Sequence, residues 1–291
     1  MLKEEFQKYI NSLNIKSCGS VRTCYVSEDG KTVYLKQNAD SDEFKNLYHE
    51  KNYHRRNLIT TLINDDINIA PIIGGFVGSD GFYYEIQEAG AGKVLGSFLQ
   101  PSIKHFVDLE KIKNLPEDKQ LYIIKEARLK YNQEMKNQLI NAPQSHYDKI
   151  ISDLFKLKTK YNLEWCDNHP ENILYDPKKG FTIIDFDDCQ YKYLKDTFDV
   201  LTSFISILQD LDLFYFVNYK CLMSFNAETN APILKKIVQA AVNNNLEFSD
   251  YQIQVLTSYI NNLTPSHLVP DIINIAKSKP LTNQSKGKVW H

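Results

Sequence analysis

Apolar positions recur every three to four residues over 3–15, a spacing that predicts a short amphipathic helix. The pattern then changes to alternation. In GSVRTCYVSEDGKTVYLKQ, residues 19–37, two alternating runs flank Asp29-Gly30, the turn dipeptide of a tight hairpin. NADSD follows, and Asp40, Ser41 or Asp42 is placed to cap a helix through EFKNLYHEKNYHRRNLITTLI, residues 43–63. INIAPIIGGFVG (67–78) and FYYEIQEAG (82–90) read as two more strands joined by GSDG. Together these make a β-β-α-β-β segment that ends near Gly92.

Beyond Gly92 the helical period dominates. Residues 94–162 are mostly helix-forming, with turn signals at LPEDK and NAPQS. Two short strands follow, NILYD and FTIID, joined by the turn PKKG. Helical patterning returns at 197–209, 212–225, 231–244, 249–262 and 268–277, before the polar tail KPLTNQSKGKVWH. The expected class is α+β, with a small strand-rich lobe over 1–91 and a larger, mainly helical lobe over 92–291.

Composition narrows the partners. A net charge of −2 provides no global field for nucleic acid, and HRRN at 54–57 reads as a solvated helix face. The longest apolar region, FDVLTSFISILQDLDLFYFVNYKCLMSF, is broken by Asp210, Asp212 and Lys220, which makes it buried helices rather than a membrane span. MLKEEFQKYI has no apolar core of signal-peptide length. The five cysteines are scattered, so reduced thiols in a cytoplasm are expected; secretion as an effector by a route without classical signals stays open.

The chemistry concentrates in WCDNHPENILYDPKKGFTIIDFDD, residues 165–188. Asn172 follows Asp167 by five residues, and Asp185 closes the second short strand. A hairpin would carry all three to one edge. A carboxylate with an amide oxygen suits a hard cation such as Mg²⁺, and the remaining carboxylate can accept a hydroxyl proton. Upstream, Lys36 in the second strand can reach nucleotide phosphates if a helix carboxylate holds it. Glu50 is the expected partner, with Glu43 the weaker candidate. Gly19 and Ser20 allow backbone N–H groups to approach phosphate, and extended backbone at Glu88 and Gly90 can pair with an adenine edge. Cys166-x-x-His169 lacks a second pair of ligands for zinc. GAGKV is no phosphate loop, because Gln87 and Val94 stand where Gly and Ser/Thr are required.

On DNHPENILYD, IIDFDD and Asp199 in KDTFDVL, the chain resembles the protein-kinase-like superfamily, in its aminoglycoside phosphotransferase and choline kinase branch. The resemblance spans roughly residues 19–200. It implies a bilobal kinase-like fold and transfer of the ATP γ-phosphate to a hydroxyl of a small molecule, with an amino sugar or choline-like acceptor favoured if Glu164, Glu171, Asp187 and Asp188 face it. It makes Asp167 the catalytic base, Asn172 and Asp185 the Mg²⁺ ligands, Lys36 braced by Glu50 the α/β-phosphate contact, and His169 a buttress of the loop. The chain departs from the branch at Trp165-Cys166, where His-Gly is usual, and this places the Trp165 ring toward the substrate side. A protein- or lipid-directed kinase and a catalytically inactive nucleotide-binding protein are the alternatives.

Overall fold

The computed structural model describes residues 3–13, 15–18, 22–37, 42–96, 107–165, 169–184, 186, 194–212 and 227–278. The chain divides into two compact units, one of residues 1–135 with 169–187 and the other of residues 136–168 with 188–291. The division is therefore not a single cut after residue 91: the hairpin that follows His169 belongs with the N-terminal strands.

The first unit opens with α1 (Lys3–Ser12), then β1 (Ile15–Cys18), β2 (Arg22–Val26), β3 (Thr32–Gln37), α2 (Asp42–Asn64), β4 (Ile72–Val77) and β5 (Tyr83–Glu88). The five strands form an antiparallel sheet in the order β1-β2-β3-β5-β4. Gly30 makes the β2–β3 turn at φ 71°, with its N–H bonded to Ser27 O at 2.9 Å. One face of the sheet packs on α1 through Phe6, Ile10, Leu13 and Tyr84, with Tyr25, Tyr34 and Phe76 against them. Phe6 meets Phe76 edge-on at 4.0 Å between ring centroids. The two-residue strand β6 (Lys93–Val94) then leads to α3 (Leu109–Ile112) and the start of α4 (Glu117–Asn141). Strands β7 (Ile173–Asp176) and β8 (Gly180–Ile183) pair as an antiparallel hairpin, and β6 joins it beside β7.

The second unit is helical: the end of α4, then α5 (Gln144–Thr159), α6 (Thr197–Asp212), α7 (Asn230–Asn243), α8 (Asp250–Leu263) and α9 (Val269–Ala276). Its core is aliphatic, with Ile150, Ile151, Leu234, Ile237, Val238, Leu256, Ile260 and Ile272 almost fully buried. Ser249 starts α8 with a capping box, accepting from Gln252 N–H while the Gln252 side chain accepts from Ser249 N–H. Among the described residues no helix is long and apolar enough to cross a membrane.

Candidate functional site

The β7–β8 hairpin sets the position of Asn172. His169 caps a single 3₁₀ turn over Pro170–Asn172, its Nδ1 accepting from Glu171 N–H at 3.3 Å, with proline at the first position where no N–H is needed. Asn172 N–H donates to His169 O at 2.9 Å, and β7 begins at the next residue. In the hairpin register Ile173 faces Ile183, and Ile184 N–H donates to Asn172 O at 2.9 Å. Asn172 and Ile184 therefore stand at the same end of the hairpin. Asp167 and Asp185 lie outside the described residues, as do Gly19 and Ser20.

The hairpin is bound to the rest of its unit from two sides. Ile183 N–H donates to Asn68 O at 3.0 Å and Ala70 N–H to Ile183 O at 2.9 Å, while the Asn68 amide donates to Phe181 O. From the other side, Leu95 N–H donates to Ile173 O at 2.9 Å, and the buried Tyr131 of α4 donates its hydroxyl to Val94 O at 2.6 Å. Burial and the nearby Glu171 push the Tyr131 phenol well above its usual range, so it stays a donor.

The segment between β5 and β6 rests on this hairpin. Glu88 N–H donates to Pro71 O and Ala89 N–H to Lys31 O, at 3.0 and 2.8 Å. Gly90 enters no backbone hydrogen bond among the described residues. A Cβ at Gly90 would stand 2.3 Å from Leu174 Cδ1 and 3.6 Å from Ile184 Cγ2. At Gly92, with φ 99°, a Cβ would lie 2.1 Å from Tyr175 O, so only glycine fits there. Leu174 and Ile184 are part-exposed, whereas Ile173, Tyr175 and Ile183 are buried. These two apolar side chains stand beside Gly90, whose backbone enters no hydrogen bond among the described residues. Their signal in the sequence was the alternation in Ile173-Leu174-Tyr175, whose middle member faces away from its neighbours.

Lys36 stands elsewhere. Across β3 and β5 it faces Tyr84, and Tyr34 lies two residues before it, so all three share the face covered by α1. Lys36 Nζ pairs with Asp80 Oδ2 at 2.7 Å and lies 4.1 Å above the Phe82 ring. Tyr84 donates to the same carboxylate oxygen at 2.7 Å and accepts from Gln7 at 2.9 Å. Burial works to raise the Asp80 pKa, but the hydrogen bonds from Lys36 and Tyr84 outweigh it and hold the carboxyl below its usual range. Among the described residues it is Asp80 that pairs with Lys36. The physical reason is register: the aromatic stripe that docks α1 occupies alternate residues of β3, and Lys36 is in phase with it. Glu50 is a residue of α2, and its side chain is outside the described set.

The opposite face of the sheet holds the ion pair that joins it to α2. Arg55 Nη1 donates to both oxygens of Glu85, at 3.0 and 2.9 Å, and Glu85 is fully buried. Gln87 Nε2 adds a 2.5 Å bond to Glu85 Oε1. Arg55 Nε donates to Phe186 O at 2.8 Å. The HRRN patch is accordingly only partly a solvated face: His54, Arg56 and Asn57 are exposed, and Arg55 turns inward.

In the helical unit, Trp165 is buried at 6% exposure, so its ring belongs to that unit's core. It borders a cavity of about 20 Å³ lined also by Leu154, Leu157, Val200 and Phe204, room for one water at most. Glu164 is buried there and accepts from Leu194 N–H at 2.8 Å and from Lys158 at 3.4 Å, which removes it from the set that can meet a cationic acceptor. Asp199 accepts from Lys195 N–H at 2.6 Å, and Asp196 caps α6 through Phe198 and Asp199 N–H.

Among the described residues no group of three His, Cys, Asp or Glu side chains is placed to hold a metal ion. Among the described residues the hairpin end offers the Asn172 amide oxygen, a donor that suits a hard cation such as Mg²⁺ better than zinc or copper.

No family model and no curated protein matches the chain. Solved structures to which the chain has some similarity include aminoglycoside 2'-phosphotransferase-IIIa with GDP, at 14% identity over 94% of this chain and 99% of that one, with a TM-score of 0.32. The aminoglycoside phosphotransferase APH(3'')-Id from Streptomyces rimosus is 10% identical over 94% of this chain and 96% of that one, at 0.41. Vaccinia related kinase 3 is 13% identical over 94% of each chain, at 0.37.

Proposed function

We propose that the chain is an ATP- and Mg²⁺-dependent phosphotransferase that acts on a hydroxyl of a small molecule. The observation that carries this reading is the hairpin register, Ile184 N–H on Asn172 O, which brings Asn172 to the end where Asp185 follows. Leu174, Ile184 and the backbone at Glu88 and Gly90 would take the base. Asn172 and Asp185 would hold Mg²⁺. When bound, the ion would neutralise charge on the transferring phosphoryl group. Asp167 would orient the acceptor hydroxyl and take its proton as the oxygen attacks phosphorus and the bond to the β-phosphate oxygen breaks. Of the acidic groups that would favour a cationic acceptor such as an amino sugar, Glu164 is buried and engaged, which leaves Glu171, Asp187 and Asp188 as candidates. Lys36, engaged with Asp80, is not assigned a phosphate contact.

That same engagement supports one other reading, a kinase-fold protein that binds nucleotide without turnover. The two separate cleanly. ATP binding by calorimetry with and without Mg²⁺, followed by a hydroxyl-acceptor screen with labelled ATP, should show Mg²⁺-supported binding and transfer. Asp185→Ala should weaken Mg²⁺–ATP, and Asp167→Ala should abolish transfer with binding kept. Binding without transfer to any acceptor would select the non-catalytic reading, and absence of binding would reject both.

A further inference from the structure

Gln37 ends β3 with a side chain only 3% exposed, and among the described residues neither its amide nitrogen nor its amide oxygen has a hydrogen-bond partner. Strand alternation puts it on the face opposite Lys36, the face on which Leu35 meets Glu85 across β5. Its neighbour across the same ladder is Tyr83, since Lys36 pairs with Tyr84. Tyr83 turns away from it: a Cβ at Gly75 of β4, on the far side of β5, would stand 2.0 Å from the Tyr83 hydroxyl. A buried carboxamide without partners costs stability on its donor and its acceptor side. An apolar side chain would be more stable at this position unless a ligand meets the amide.

Position along the sheet indicates which part of a ligand that is. Thr32 stands opposite Glu88, and Gln37 lies further along β3 by about 17 Å at the rise of a strand. A nucleotide whose base lies at Glu88 and Gly90 would carry its phosphates toward that end, along the face where Arg55 bonds both Glu85 and Phe186 O. We propose that Gln37 is a phosphate-binding residue, its amide N–H donating to a phosphate oxygen of the nucleotide, and that it fills from β3 the role first expected of Lys36. This rests on the reading of the chain as a nucleotide-dependent phosphotransferase with its base at Glu88 and Gly90. The amide oxygen would accept from water around the phosphate. The amide brings a donor without a charge, so it gives the contact direction and leaves the phosphate charge to the cation.

Gln37→Met keeps the length of the side chain and removes both polar groups. The ligand-free variant should melt at the wild-type temperature or about 2 °C above it, because a buried, unmet amide is gone. In calorimetry with Mg²⁺, its affinity for ATP and for ADP should fall by about 10-fold, while its affinity for adenosine stays within about 2-fold. A melting temperature lower by about 2 °C or more would overturn the proposal, since it marks an amide already satisfied within the fold. An equal loss for adenosine would overturn it too, by moving the contact to the base or sugar. Wild-type binding of ATP and ADP that Gln37→Met leaves unchanged rejects this proposal alone. A wild-type protein that binds none of the three ligands rejects the functional reading together with it.

Discussion

Arg55→Met, Glu85→Leu and the double variant form a cycle whose size follows from the geometry. Glu85 has no exposed surface and accepts three hydrogen bonds, two of them from Arg55. Removing Arg55 alone strands a carboxylate on one neutral amide, a cost of about 3–5 kcal/mol. Removing Glu85 alone is milder, about 2–3 kcal/mol, since Arg55 keeps Phe186 O and some water contact. Removing both leaves apolar groups of similar volume and a lost carbonyl bond, about 1–2 kcal/mol in total. The coupling should therefore be about 3 kcal/mol or more. Trp165 is buried in the helical unit, so its fluorescence does not report on the sheet. The assay is exchange protection of β3 and β5 peptides. Single losses below about 1 kcal/mol, or losses that add in the double variant, would refute the claim that this is a buried, mutually compensated pair.

Lys36→Met should leave ATP affinity within about 2-fold, because Lys36 faces α1 and is held by Asp80; a drop of about 10-fold or more, read by calorimetry, would restore it as the phosphate lysine. The Asp80 carboxyl titrates below its ordinary 3.8, so its stabilisation is complete above that pH and is lost as pH falls through the folded value. Wild type and Asp80→Asn should accordingly differ in thermal stability near pH 6 and converge in strong acid, and a difference independent of pH would contradict the pairing. Gly90→Ala adds a methyl that meets only the flexible end of Leu174, so stability should change by less than about 1 kcal/mol. The displaced Leu174 should nonetheless lower ATP affinity by about 10-fold, and unchanged binding would remove Leu174 from the nucleotide site.

What was legible in the sequence had local causes. The Asp29-Gly30 turn, the α2 helix expected over 43–63 and found as Asp42–Asn64, and the helix expected over 249–262 and found as Asp250–Leu263 each depend on residues within a few positions of one another. The β7–β8 hairpin was legible because PKKG punctuates two short apolar runs. Strand β1 was missed: Ile15–Cys18 has no turn dipeptide of its own and follows directly on a helical pattern. Most of the helix expected at 212–225 lies outside the described residues. The Arg55–Glu85 and Arg55–Phe186 bonds were invisible because they span 30 and 131 residues, and an arginine beside another arginine reads as a charged surface. The face of Lys36 was legible in principle. Tyr34 two residues earlier and the aromatic docking of α1 put Lys36 on that side, and the motif resemblance concealed the alternation.

The two faces of the sheet together carry a consequence for how the site is held. On the α1 face, the charge pair is part-exposed and tied into Gln7 and Tyr84, so it braces α1 against the strands. On the α2 face, the pair is almost fully buried and continues into the loop after Ile184. A strand lysine held by a helix carboxylate would leave its ammonium at the sheet to meet phosphate. Here the helix arginine is anchored on a strand carboxylate, and its Nε–H donates to Phe186 O. Under the proposed function, with Lys36 held by Asp80, attraction for triphosphate would come mainly from the hairpin end, through Asn172 and the cation it would help to hold. That arrangement predicts a steep dependence of nucleotide affinity on Mg²⁺, steeper than in a site where a fixed lysine shares the load.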